Sequence, residues 1–199
     1  MEQWLRPRAQ FLIDPVVKIL ARLGITPNAL TVFGFLLNVV AGALIAAGLP
    51  FWGGVMMTAI AMPADALDGS LARATGRQSK FGGFLDSVLD RFAEAAILLG
   101  MAWNFLARGD ALSTWACFLA LLGSIMVSYT RARAEGLGLE CKVGLFSRFG
   151  RFALIALGLL AYPIFQQSLV VMVWALAILS SFTAIQRIVH VYAITDGKG

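Results

Sequence analysis

The sequence predicts an all-α polytopic membrane protein: six transmembrane helices preceded by an N-terminal interfacial amphipathic helix. Three observations carry this expectation. Hydrophobic residues make up 59% of the 199 and charged residues 14%, with a mean hydropathy of +0.81; a soluble domain of this size needs more polar surface. Apolar runs of about 20 residues, enough to cross a hydrocarbon core of roughly 30 Å, recur along the chain. Basic residues gather on alternate links between those runs.

The first element is amphipathic, at about 3–23. Leu5, Phe11, Leu12, Val16, Ile19, Leu20 and Leu23 are apolar, and Arg6, Arg8, Lys18 and Arg22 supply a wet face, the pattern of a helix lying along the interface. Gly24 ends it, and Thr26-Pro27-Asn28 opens the next helix with cap and proline chemistry in the expected places. Spans are expected at about 28–48, 52–74, 81–107, 112–135, 144–163 and 168–192. Gly48-Leu49-Pro50 separates the first two, and Tyr162-Pro163 through Gln166-Gln167 the last two, so those neighbours run antiparallel. The expected organisation is an amphipathic segment over 1–24, a six-helix unit over 25–193 and a tail over 194–199. Met1–Gln10 is polar, and the first long apolar run begins near Ala29, so no cleavable signal is expected.

The formal charge of +5 flanks the spans, which points to orientation and anionic lipid and away from nucleic acid. Arg6, Arg8, Lys18 and Arg22 precede span one, Arg73, Arg77 and Lys80 join spans two and three, and Arg131, Arg133, Lys142, Arg148 and Arg151 surround the link between four and five. The opposite links contain only Arg108. Both termini are therefore expected on the cytoplasmic side of the plasma membrane. Cys117 and Cys141 have no metal-ligand spacing and read as buried or incidental thiols.

Asp65, Asp68, Asp86 and Asp90 lie in DALDGSLARATGRQSKFGGFLDSVLD, inside segments that should be membrane. Each mid-helix aspartate costs roughly 3 kcal/mol to insert, so something must offset four. Asp65 and Asp68, three apart, share a face of span two; Asp86 and Asp90, four apart, share a face of span three. The connecting loop makes these helices antiparallel, so the carboxylates can converge near the cytoplasmic surface. Left alone they would repel one another. One or two hard divalent cations resolve that, and a metal pair about 4 Å apart suits phosphoryl chemistry. Gly69 and Gly82 allow either a flat ligand or another helix to come close. Arg73 places a cation beside the acids, suited to a phosphate oxygen.

Asp65-x2-Asp68-Gly69-x2-Ala72-Arg73-x8-Gly82-x3-Asp86-x3-Asp90 resembles the complete signature of the CDP-alcohol phosphotransferase family, with eight positions matching across 26 residues. The six-span plan extends the resemblance over nearly the whole chain. It implies transfer of a substituted phosphate from a CDP-linked donor, such as CDP-diacylglycerol, to an alcohol, with release of CMP. It assigns Asp65, Asp68, Asp86 and Asp90 to metal, with Asp90 also activating the incoming hydroxyl, and Asp68, Gly69, Ala72, Arg73 and Gly82 to the CDP donor. The expected cofactor is Mg²⁺ or Mn²⁺, in two ions. Homodimerisation is implied in the same way.

A second basic cluster bears on the acceptor. Ser128-Tyr129-Thr130-Arg131 nears the end of span four, and Ser147-Arg148-Phe149-Gly150-Arg151 opens span five. Arg148 and Arg151 share a helical face and Arg131 can meet them across the link, a grouping suited to a dianionic phosphate. The blander reading is a loop obeying the positive-inside rule. SYTRARAEGLGL resembles the phosphatidylinositol phosphate synthase branch, which implies Ser128, Arg131, Arg148 and Arg151 as ligands of a phosphorylated polyol, inositol 1-phosphate. Ser147 and Gly150 stand where that branch usually carries glutamates. Phosphatidylglycerophosphate synthase, with glycerol 3-phosphate as acceptor, is the alternative in the family. An ion or proton pathway is the alternative outside it, but predicts acids spread through the membrane's depth. Glu94 continues the Asp86–Asp90 face outside the signature, either tuning the site or pairing with a base. His190, the lone histidine, is expected to pack or to sit at the interface.

Overall fold

The computed structural model describes residues 15–196, and among these it is all helical. Residues 15–22 form α1. The following helices are α2 (Pro27–Ala46), α3 (Pro50–Val55), a π-helical turn (Met56–Ala61), α4 (Met62–Ala74), α5 (Lys80–Ala107), α6 (Ala111–Gly136), α7 (Arg148–Ala161) and α8 (Ser168–Thr195). α3, the π turn and α4 run on without a break as one rod. Three helices, α2, α6 and α8, are long and apolar enough to cross a membrane by length and composition.

Local chemistry sets the boundaries. The Thr26 side chain accepts from Ala29 N at 3.2 Å to cap α2, Ser79 accepts from Gly82 N at 2.9 Å to cap α5, and Asp110 accepts from Ser113 N at 3.0 Å to cap α6. Gly48, Gly76, Gly109 and Gly138 turn the chain at helix ends with φ between 64° and 83°, a conformation that costs glycine nothing. Pro63 is the second residue of α4, one residue past the π turn. Its missing N–H would interrupt an α-helical ladder, and the wider turn is one way a helix absorbs such a gap.

Five of the six expected spans coincide with helical rods to within a few residues. The fifth starts later than expected, at Arg148 instead of 144. The amide of Leu145 donates to the Gln186 side chain at 3.3 Å and that of Phe146 to the Thr183 hydroxyl at 3.2 Å. These amides are committed to α8, so the helix begins only after the Ser147 cap. With 14 residues, α7 is about 21 Å long. Most of the amphipathic segment expected over 3–23 lies outside the described residues. Within α1, Val17 packs in a small cluster with Leu30, Ala64 and Leu71, so this end of the segment docks on α2 and α4.

The longest helix contacts pair α2 with α5 and α6 with α8. A Cβ added to Gly100 would lie 2.2 Å from the Gly42 carbonyl oxygen, and one on Gly42 would lie 2.4 Å from that of Ala96. Backbone therefore meets backbone where α2 crosses α5. The main core gathers Ile97, Leu98 and Met101 of α5, Cys117 and Ala120 of α6, Leu159 of α7 and Leu176 of α8. Large apolar side chains, including Phe33, Trp103, Leu122 and Phe182, face outward, as a lipid-facing surface requires. Cys117 and Cys141 are buried free thiols, as expected.

Gly100→Val should destabilise the protein by about 3 kcal/mol, at the upper end of ordinary overpacking costs. Gly136→Ala, which meets only open space, should leave stability unchanged. Thermal midpoints in detergent would test both. Equal midpoints for the two variants would contradict the close crossing.

Candidate active site

Helix capping and antiparallel packing place two acidic faces opposite one another. Asp65 and Asp68 come from α4 and Asp86 from α5, and one carboxylate oxygen from each lies within 4.8 Å of the others. Asp68 is nearly buried, and the Thr31 hydroxyl of α2 donates to its Oδ2 at 2.6 Å. That bond orients the carboxylate before any ligand arrives. Among the described residues, no basic side chain pairs with Asp68 or Asp86. Three converging carboxylates, two of them without a cationic partner among the described residues, make a hard oxygen donor set, which fits Mg²⁺ or Mn²⁺.

Asp90, one turn beyond Asp86, stands apart from this trio. It is nearly buried and takes an ion pair from Arg148 of α7. Arg148 Nη2 also lies 3.5 Å from Asp65 Oδ2, and the guanidinium rests over the Phe152 ring at 5.4 Å. Arg91 contributes a longer contact to Asp90, at 3.7 Å.

Three cavities open around these acids. The first, of about 240 Å³, is lined by Asp68, Gly69, Ala72, Arg73 and Gly82, together with Asp86, Asn28 and Arg77. All five residues expected at the donor site thus face one space. A Cβ on Gly82 would come within 3.2 Å of the Asn28 side-chain oxygen, so glycine keeps this wall open. The second cavity, of about 720 Å³, is lined by Ser128, Arg131, Arg148 and Arg151, with Asp86, Asp90 and Arg187. All four residues expected at the acceptor site face it. The third is smaller and mostly apolar, with Phe35, Met62, Leu89, Phe149 and Phe152 beside Asp65 and Asp90. Asp86 belongs to the first two cavities, so the acids form the partition between them.

The arginines do not enter the second cavity alike. Arg131 is exposed and pairs with Glu135 at 2.8 Å. Arg151 is buried, its Nε donating to Glu94 Oε1 at 2.8 Å and its Nη2 to Oε2 at 3.1 Å. Of the two roles open to Glu94, the structure shows pairing with a base. Arg187 donates to the carbonyls of Val127 and Val143. Sequence reasoning did not place Arg187, Thr31 or Asn28 at the site, and no spacing rule singles them out. His190, half-buried, has its Nε2 3.3 Å from the Glu140 carbonyl oxygen.

Residues 24–185 match a family model described as CDP-alcohol phosphatidyltransferase. The chain is 42% identical over 185 residues to the archaetidylinositol phosphate synthase of Pyrococcus horikoshii, covering 92% of this chain and 93% of that one. It is 36% identical over 180 residues to the phosphatidylinositol phosphate synthase of Mycobacteroides abscessus, covering 88% and 81% respectively. Among solved structures, the Mycobacterium tuberculosis phosphatidylinositol phosphate synthase with CDP-DAG bound superposes with a TM-score of 0.85 at 30% identity, covering 90% of this chain and 93% of that one. The same enzyme in complex with manganese and citrate also gives 0.85, with 90% and 88% covered.

Asp68→Asn should weaken Mn²⁺ binding at least tenfold, because it removes charge from the carboxylate trio. Calorimetric titration of the detergent-solubilised protein with Mn²⁺ would measure this. Unchanged affinity would remove Asp68 from the ligand set.

Proposed function

The chain belongs to the CDP-alcohol phosphatidyltransferase family, and on that premise we propose that it transfers the substituted phosphate of a CDP-linked lipid to inositol 1-phosphate, releasing CMP. The observation that carries the reading is the partition: the carboxylates separate a cavity lined by the donor motif from a cavity lined by arginines. A diphosphate entering from one side and a phosphorylated alcohol from the other would meet at the acids. The relatives named as inositol phosphate synthases favour inositol phosphate over glycerol 3-phosphate as the acceptor.

Asp65, Asp68, Asp86 and Asp90 would hold the divalent ions. When bound, Mg²⁺ or Mn²⁺ neutralises the diphosphate and makes CMP the better leaving group. The open wall at Gly69 and Gly82 admits the nucleotide, and Arg73 stands ready to donate to a phosphate oxygen. Arg148 and Arg131, both on the basic cavity, bind the acceptor phosphate. Asp90 accepts the hydroxyl proton as attack proceeds, once Arg148 has turned from it toward the phosphate. The apolar cavity beside Asp65 and Asp90 accommodates the start of a lipid chain. No covalent enzyme intermediate is needed.

In this reading the six rods are six spans of a plasma-membrane protein, residues 25–193 are the catalytic unit, and both termini and the site face the cytoplasm. The enzyme works as a homodimer. Acids confined to one cluster count against the ion-pathway alternative, which predicts acids spread through the membrane's depth.

Purified protein supplied with CDP-diacylglycerol and Mn²⁺ should release CMP with inositol 1-phosphate and not with glycerol 3-phosphate, and a chelator should abolish the release. Release with glycerol 3-phosphate alone would keep the chemistry and move the acceptor assignment. Asp90→Asn should lower kcat at least 10³-fold, within the range that general-base catalysis supplies, while CDP-lipid affinity stays within a few-fold. Wild-type turnover in that variant would exclude Asp90 as the base.

A further inference from the structure

Of the arginine–acid pairs on the basic cavity, one is dry. The Arg148 side chain is 40% exposed, whereas that of Arg151 is 2% exposed and that of its partner Glu94 5%. Glu94 lies outside the metal motif and does not line the cavity, while Arg151 does. Stability alone explains such a pair poorly. Well-packed apolar residues of similar volume often serve a core as well as a buried ion pair, or better.

Apolar residues cannot supply direction, and this pair does. A guanidinium carries five N–H groups in a rigid plane. Glu94 takes the edge formed by Nε and Nη2, which leaves both Nη1 hydrogens uncommitted to it and fixes the plane in which they lie. Pairing also cancels the net charge of Arg151, so what this arginine offers the cavity is aimed donors and little field.

The placement of the pair adds to this. Glu94 follows Asp90 by four residues on α5, and Arg151 follows Arg148 by three on α7, so the two ion pairs stack as successive rungs between the same two helices. α5 packs chiefly on α2 and α6, and α7 on α8 and α3. The polar tie between α5 and α7 is therefore made by these side chains. With the buried rung fixed, the exposed rung can exchange its carboxylate for a phosphate without moving a helix.

We propose that Glu94 is a positioning residue for the phosphorylated acceptor: it clamps Arg151 so that the free Nη1 hydrogens face the acceptor cavity beside Arg148. This rests on the acceptor reading given above. The sign of its effect separates it from simple charge balance. If Glu94 only diluted the positive field, neutralising it would tighten phosphate binding. If it aims Arg151, neutralising it weakens binding.

Steady-state CMP release in wild type, Glu94→Gln and the double variant Glu94→Leu/Arg151→Met tests the proposal. Glu94→Gln should raise the acceptor KM about tenfold, leaving the CDP-diacylglycerol KM near wild type and kcat within about threefold. The double variant replaces the pair with apolar residues of similar size, so it should keep its thermal midpoint and show at least the same rise in acceptor KM. An unchanged or lowered acceptor KM in Glu94→Gln would overturn the clamp. So would a double variant with wild-type acceptor KM. The split is read with whichever phosphorylated acceptor supports release, so a wrong acceptor shows in wild type and a wrong clamp only in the variants.

Discussion

Carboxylates gathered in a weakly hydrated cleft repel one another, at a cost on the order of 3 kcal/mol per pair near 5 Å for an effective dielectric of about 20. The structure around them is organised by that cost. Asp68 receives the Thr31 hydroxyl, Asp90 receives Arg148, and Asp65 shares the same guanidinium at longer range. Asp86 is left facing both cavities. The acids are thus partly compensated by the protein and incompletely so, the condition under which a doubly charged cation binds with most advantage.

The scaffold that holds the acids together is built from small residues. Where α2 crosses α5, glycine lets the backbones touch, which brings Thr31 of one helix to the acidic faces of the next. Farther down, α5, α6, α7 and α8 share an apolar core. The helices pack closely below the site, and the cavities open where Arg148 of α7 reaches Asp65 of α4 and Asp90 of α5. Close packing and access occupy different depths of the same bundle.

Much of this was legible in the sequence. Helical spacing placed Asp65 with Asp68 and Asp86 with Asp90, and the short link before Lys80 made their convergence a consequence of chain geometry. Donor and acceptor residues expected from a family resemblance face separate cavities. Contacts between distant positions were not legible. Thr31 meets Asp68 across 37 residues and Arg151 meets Glu94 across 57, and neither hydroxyl nor glutamate advertises its partner. The late start of α7 was hidden for a related reason. Leu145 and Phe146 look like the beginning of an apolar helix, but their amides are claimed by Gln186 and Thr183.

The π turn at Met56–Ala61 separates the phase of two helical faces. Upstream, Gly53 and Gly54 press against α2 and α7; downstream, Asp65 and Asp68 look into the site. In an unbroken α-helix each residue advances the face by about 100°, so packing direction and catalytic direction would be tied by residue count. The widened turn holds one residue more than an α-helical turn. Tightening that turn to α-helical geometry with every residue kept would swing both aspartates about 100° relative to the Gly53–Gly54 face. The width of one turn therefore sets the angle between how this rod packs and where its acids point.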